Sequence, residues 1–284
     1  MSEANNTQSS TRLPVYFLGI GGPNFIDNVG HPAYRKLAET GKEITTKVKP
    51  KAIVVFSAHW QHGPSKIAIN VAETGSLIYD FYGFPPHFYE IDFPHRGSPQ
   101  VAERVIERLS SAGIAVDRVE RGLDHGVWVG TLAAFDPKKN PIDVPIVQVS
   151  LFGDEDPVKH YRMGQALEQL RDEGILIVGA GMAVHNLHDF RKTRGDTSQT
   201  LPYASTFESA LTEAIATKQA DREKAMADLL KRSDARQAHP SLEHILPIHI
   251  VAGAAGSDVG ERIWALPEGS LNWGQYRFGK VPSA

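Results

Sequence analysis

The chain has 284 residues, 41% of them hydrophobic, and a formal charge of −3 at pH 7, which allows one sizeable core and gives no global attraction to phosphate backbones or anionic lipid. It contains no cysteine, excluding disulfides, thiolate metal sites and a cysteine nucleophile and leaving oxygen and nitrogen donors. No run of about 18 apolar residues is present to span a membrane, so neither nucleic acid nor membrane is expected as a partner.

In chain order, residues 1–12 are polar, lack the apolar run of a secretory signal, and read as a disordered tail on a cytoplasmic protein. Residues 13–284 read as one domain. Val15, Tyr16, Phe17 and Leu18 are β-formers feeding a Gly19-Ile20-Gly21-Gly22-Pro23 turn. Residues 31–48 carry apolar positions at helical spacing, and a second strand runs through the apolar stretch to His59. Strand, helix, strand at this spacing is a βαβ unit with a locally parallel sheet. Residues 73–99 form the longest irregular segment; its aromatics Tyr79, Phe81, Tyr82, Phe84, Phe88 and Tyr89 suit either a lid or pocket wall, or a packed surface loop. The alternation then resumes, with a helix over 98–113, strands over 113–119 and 144–152, a helix over 156–174 and a strand over 174–182. Two charged helices over 201–232, a buried small-residue helix over 244–256 and an aromatic edge hairpin over 262–279 complete the chain. The fold class is therefore α/β: a single domain with a mostly parallel central sheet, helices on both faces and a C-terminal edge hairpin.

The glycine turn is not a nucleotide cradle. Gly19, Gly21 and Gly22 lack a third glycine in the dinucleotide register and the Lys-Ser/Thr of a P-loop, and residues 179–186 fail for the same reason. Histidine is the stronger lead. His59 closes a strand, His125 stands in Leu-Asp-His-Gly, His185 follows a strand, and His244 precedes a helix. The carboxyl ends of parallel strands share one rim, so His59 and His185 should converge there. Neutral imidazoles in sets of three or four hold zinc or ferrous iron, although a single histidine after a strand is more often a hydrogen-bonded structural residue. No role is assigned to His31, His62, His87, His95, His160, His188 or His249. Trp60 suits either a site wall or the core, and Glu243 is a further possible metal donor.

Ser57-Ala-His-Trp60, Leu123-Asp-His-Gly126, Val184-His-Asn186, the His-Pro-x-x-Glu-His-x-Leu-Pro of residues 239–247 and the closing Gly-Ser-Leu-Asn-Trp-Gly-Gln-Tyr-Arg-Phe-Gly of residues 269–279 resemble the class III extradiol ring-cleaving dioxygenases, specifically their DOPA-dioxygenase branch. The resemblance runs from about Val15 to Gly279. It implies a non-haem Zn2+ or Fe2+ at the sheet rim, a small aromatic catechol and O2 as substrates, and an oxidoreductase that opens the ring beside the diol. Carried over, His59 and His244 fall on metal-ligand positions, and His185 falls on one that completes the metal shell or acts as acid/base. His125 falls on a pocket histidine suited to moving the catechol proton.

One position departs. Where the family's first strand ends Ser-His-Gly-Gly-Pro or a close variant, with that histidine a metal ligand, this chain carries Ile20, which cannot coordinate. Three readings follow: ring cleavage with His59, His185 and His244 alone; the same fold with reduced or absent metal and a non-oxidative reaction, such as isomerisation, hydrolysis or cyclisation, using His125 and His185 as proton carriers; or a non-catalytic binding relative.

Overall fold

The computed structural model describes residues 12–193 and 196–283. The tail expected over residues 1–12 lies, through residue 11, outside the described residues; Arg12 pairs with Glu168 and Asp172.

The strands are β1 (Val15–Gly19), β2 (Ala52–Gln61), β3 (Lys66–Asn70), β4 (Ala115–Val119), β5 (Ile146–Leu151), β6 (Ile175–Gly181), β7 (Val184–His185), β8 (Gly260–Trp264), β9 (Pro267–Glu268), β10 (Leu271–Asn272) and β11 (Gln275–Phe278). Eight of them form the central sheet in the order β4-β3-β5-β2-β6-β1-β11-β8. Neighbours from β5 to β1 pair parallel, whereas β11 pairs antiparallel with both β1 and β8. The edge hairpin is thus present, but residues between its strands leave the sheet. There β9 and β10 join β7 in a separate three-stranded sheet, a departure that the alternating pattern of the tail did not reveal.

The helices are α1 (Pro32–Glu43), α2 (Pro99–Ser111), α3 (His125–Ala134), α4 (Pro157–Leu167), α5 (Leu187–Lys192), α6 (Pro202–Ile215), α7 (Gln219–Leu229), α8 (Ala235–Ala238) and α9 (Leu246–Ala254). Proline at the first turn starts α1, α2 and α4 where its missing N–H costs nothing. The side chains of His31, Ser98 and Asp156 accept the next free amides. One face of the sheet packs on α2, α4, α6, α7 and α9; the other packs on α1, α3 and the aromatic segment that includes Phe81, Phe88 and Phe93. That segment is chiefly packed wall: Tyr79 donates through its hydroxyl to the Ile91 carbonyl (2.6 Å), and Trp128 Nε1 donates to the Ile78 carbonyl (3.0 Å).

Buried core histidines, His160, His239 and His249 among them, should make the fold acid-sensitive. His160 donates through Nδ1 to the Asp156 carbonyl and accepts the Phe152 amide at Nε2, an arrangement only the neutral ring can make. Burial lowers its pKa. His239, fully buried, donates from Nε2 to the Ala183 carbonyl (2.9 Å), and burial brings its pKa down to about 4. In the unfolded chain both titrate near ~6.5. A lowered folded pKa means the stabilisation is complete above the unfolded value and is lost as pH falls from there towards the folded value. His239 alone therefore removes ~3 kcal/mol between about pH 7 and about pH 4. A urea midpoint that stays constant across that window contradicts this assignment.

Candidate active site at the sheet rim

The parallel strands β1, β6 and β2 end side by side, and their carboxyl ends form the floor of the site. Ile20 follows β1 and donates its amide to the Gly181 carbonyl at the end of β6 (3.1 Å). β2 stays in register with β5 through Phe56 and regains it only at Gln61. That irregularity lies across His59 and re-aims it.

Ser57 fixes the distortion. Its hydroxyl donates to Asp124 Oδ1 (2.7 Å) and accepts the His59 amide (3.0 Å). Asp124 is fully buried, takes a second hydrogen bond from Gln148 Nε2, and stands immediately before α3. Burial raises its pKa. This network ties the end of β2 to the start of α3 and brings the His59 and His125 ring centroids to 4.0 Å. Gly126 leaves the room, since a Cβ there would lie 2.6 Å from His59 Cδ2.

His185 is set by the pairing of β7 with β10. The adjacent Asn186 caps α5 by accepting the Asp189 amide and donates to the Gln237 carbonyl, so it holds the loop that carries His244. The His185 and His244 rings stack with centroids 3.6 Å apart, and His59 meets His244 edge-on at 5.1 Å. His244 Nδ1 donates to Glu243 Oε1 (2.8 Å), which leaves its Nε2 free.

All four imidazoles named from the sequence line one cavity of about 800 Å3. Their donors fall into two groups, His185 with Glu243 and His244, and His59 with Asp80 and His125, each with donor atoms within 4.8 Å of one another. Burial, with repulsion between neighbouring rings, holds His185 and His244 well below the usual imidazole range and brings His59 to about 4. Neutral imidazoles are what a divalent metal requires, and a carboxylate behind His244 is the usual support for such a ligand. The donor chemistry therefore fits a metal.

Asp80 is a partner that sequence reasoning missed. Its Oδ1 accepts from the His125 ring Nδ1 (2.7 Å) and from the His125 amide (3.0 Å), while Oδ2 lies 3.8 Å from His59 Nδ1. Burial alone would raise this carboxyl, but the His125 hydrogen bonds and charge outweigh it and hold Asp80 at about 2. Trp60 does not wall the cavity; it lies beneath the Arg121 guanidinium at 4.1 Å.

His31 and His188, assigned no role from the sequence, also line the cavity. His31 does not replace a histidine at position 20. Its Nδ1 accepts the Ala33 amide, and its Nε2 faces Glu268 (2.9 Å), which also accepts from Trp273 Nε1 (2.6 Å). Trp273 stacks on Phe25 at 4.7 Å, so together they present a flat aromatic wall. Gly21 makes that wall possible. It has φ +63°, and a Cβ there would lie 2.1 Å from the Trp273 ring. Gly21→Ala should therefore displace Trp273 and cost at least ~1 kcal/mol from backbone conformation alone; an unchanged thermal midpoint and unchanged tryptophan fluorescence refute this.

A mostly parallel α/β sheet with a histidine-lined pocket at the carboxyl rim, backed by carboxylates, has the donor set that suits a non-haem metal site. Residues 14–269 match the family described as the catalytic LigB subunit of aromatic ring-opening dioxygenase, and the chain belongs to that family. It is 33% identical to the 4,5-DOPA dioxygenase extradiol of Beta vulgaris, over 93% of this chain and 96% of that one. It is 35% identical to the protein of the same name from Escherichia coli K12, over 87% and 86%, and 33% identical to dioxygenase tasH of Hapsidospora irregularis, over 87% and 80%. The crystal structure of an uncharacterized Escherichia coli K12 protein superposes with a TM-score of 0.73 at 28% identity, covering 94% of this chain and all of that one. The chain is thus extradiol dioxygenase-like, and no described helix is long and apolar enough to cross a membrane.

Proposed function

We propose that this protein opens the ring of a small catechol-type aromatic with O2, using a zinc or ferrous ion held by His59, His185 and His244, with Glu243 supporting His244. The observation that carries this is the meeting of those three rings in one cavity, with centroids 3.6 and 5.1 Å from that of His244. Bound there, the metal supplies open positions at which a diol and O2 come together. The protein's own groups do the rest. Phe25, Trp273 and Phe84 offer aromatic faces to the ring inside the cavity. His125, its Nδ1–H held by Asp80, presents the opposite nitrogen as acceptor for a phenolic proton and can return it.

Ile20 favours a second reading. It is 5% exposed and stands in the same cavity as the four imidazoles, adding apolar bulk and no donor. Under that reading the pocket runs a metal-poor isomerisation, hydrolysis or cyclisation through His125 and His185.

Metal analysis of protein purified without chelator, coupled to oxygen uptake on adding a catechol, separates the two. Close to one equivalent of iron or zinc together with oxygen consumption is the result expected for ring cleavage. Metal-free protein that consumes oxygen only after Ile20→His refutes ring cleavage for the natural chain.

A further inference from the structure

Behind Ile20, on the side away from the histidines, lies a second and smaller hollow. It is enclosed between Leu18, Val55 and Val178 of the sheet and Val127, Gly130 and Ala134 of α3, with a volume of about 20 Å3 and an almost wholly apolar lining. Its one hydroxyl-bearing neighbour, Thr131, bonds to the Val127 and Trp128 carbonyls of its own helix. A water molecule needs roughly 2–4 polar partners, and a volume of this order accommodates one water-sized body, so an apolar hollow of this size stays dry. Its lining atoms lack partners on one side, and any small apolar occupant restores that dispersion contact.

The position is as informative as the chemistry. Among the described residues Ile20 alone lines both this hollow and the histidine cavity. It is seated against α3 at Gly130, where a Cβ would lie 2.4 Å from Ile20 Cγ2. The residue that supplies no metal donor is thus the partition between a polar pocket and a dry one.

We propose that the hollow is a binding site for a small apolar gas of the class of O2, which holds it one side chain away from the histidine cavity, with Ile20 as the partition. The gas site stands on its own geometry; the supply of O2 to a reaction rests on the function proposed above. Xenon is the probe, applied under pressure to crystals of the full chain and of Val55→Ile and Val178→Ile. Both changes add a methylene into the hollow at strand positions that suit β-branched residues, and thermal melts verify that each variant folds.

Xenon density in the hollow of the natural chain, lost in both variants, is the expected result. No xenon there, or equal occupancy in the filled variants, overturns the site. In parallel, Val55→Ile should raise the KM for O2 and leave the KM for the catechol in place; an unchanged KM for O2 overturns the supply role. Protein that takes up xenon in the hollow but consumes no oxygen keeps the gas site and refutes ring cleavage instead.

Discussion

His125→Ala is expected to lower the rate of catechol-dependent oxygen uptake by ~10²–10⁴, the usual contribution of a positioned acid/base. The ring is available for that work because Asp80 occupies its Nδ1 at 2.7 Å and fixes its orientation. It also stands at the first position of α3, where the backbone is held by Asp80 and by the Ser57–Asp124–Gln148 network, so the truncation should leave the helix in place. Circular dichroism and metal content should match the unaltered protein. A variant that folds, keeps its metal and retains full turnover removes His125 from the mechanism.

His244→Ala should act through binding instead. A closed four-ligand zinc site is worth ~10–16 kcal/mol, so one ligand is worth ~3–4 kcal/mol if the total is shared evenly. That is ~2–3 decades of affinity. With Ile20 supplying no donor and the His125 Nδ1 tied to Asp80, the proposed set falls to His59 and His185, and the variant should emerge from dialysis nearly metal-free. Glu243→Gln, which weakens the carboxylate behind His244 without deleting a ring, should lose a smaller ~10–100-fold. Titration with zinc in competition with a chelator reads both. Equal affinities for the three proteins place the metal elsewhere.

The fold was legible where burial imposes a period. The continuous apolar runs of β1, β2, β5 and β6 and the amphipathic stripe of α2 each read correctly, because a doubly covered sheet and a one-sided helix leave distinct patterns. α3 was missed for the opposite reason. Its sequence, HGVWVGTLAA, is almost wholly buried, and a helix apolar all round has no stripe. β3 is only five residues long and falls between the strand ending near His59 and the irregular segment from residue 73, where no element was expected.

His59 and His185 could be expected at one rim because strand ends in a parallel sheet converge whatever their separation in the chain, whereas His125 and His244, beside helix starts, came only with the family resemblance. The partners of the site histidines were not legible. Asp80 sits in an irregular segment, 45 residues before the ring it holds, and His31 meets Glu268 across 237 residues. No local pattern marks such a pair. The signal for Asp80 was an acidic residue set directly between two aromatics, Tyr79 and Phe81, which needs a partner once the stretch packs.

The place of β11 bears on how the molecule comes into being. Synthesis delivers β1 first, yet its outer neighbour in the sheet is β11, and Val15 pairs with Phe278. Until that late segment leaves the ribosome, β1 presents an unpaired and very apolar edge. Trp273, which closes one wall of the pocket against Phe25, arrives in the same stretch, so the nascent chain acquires its protected edge and its binding pocket together.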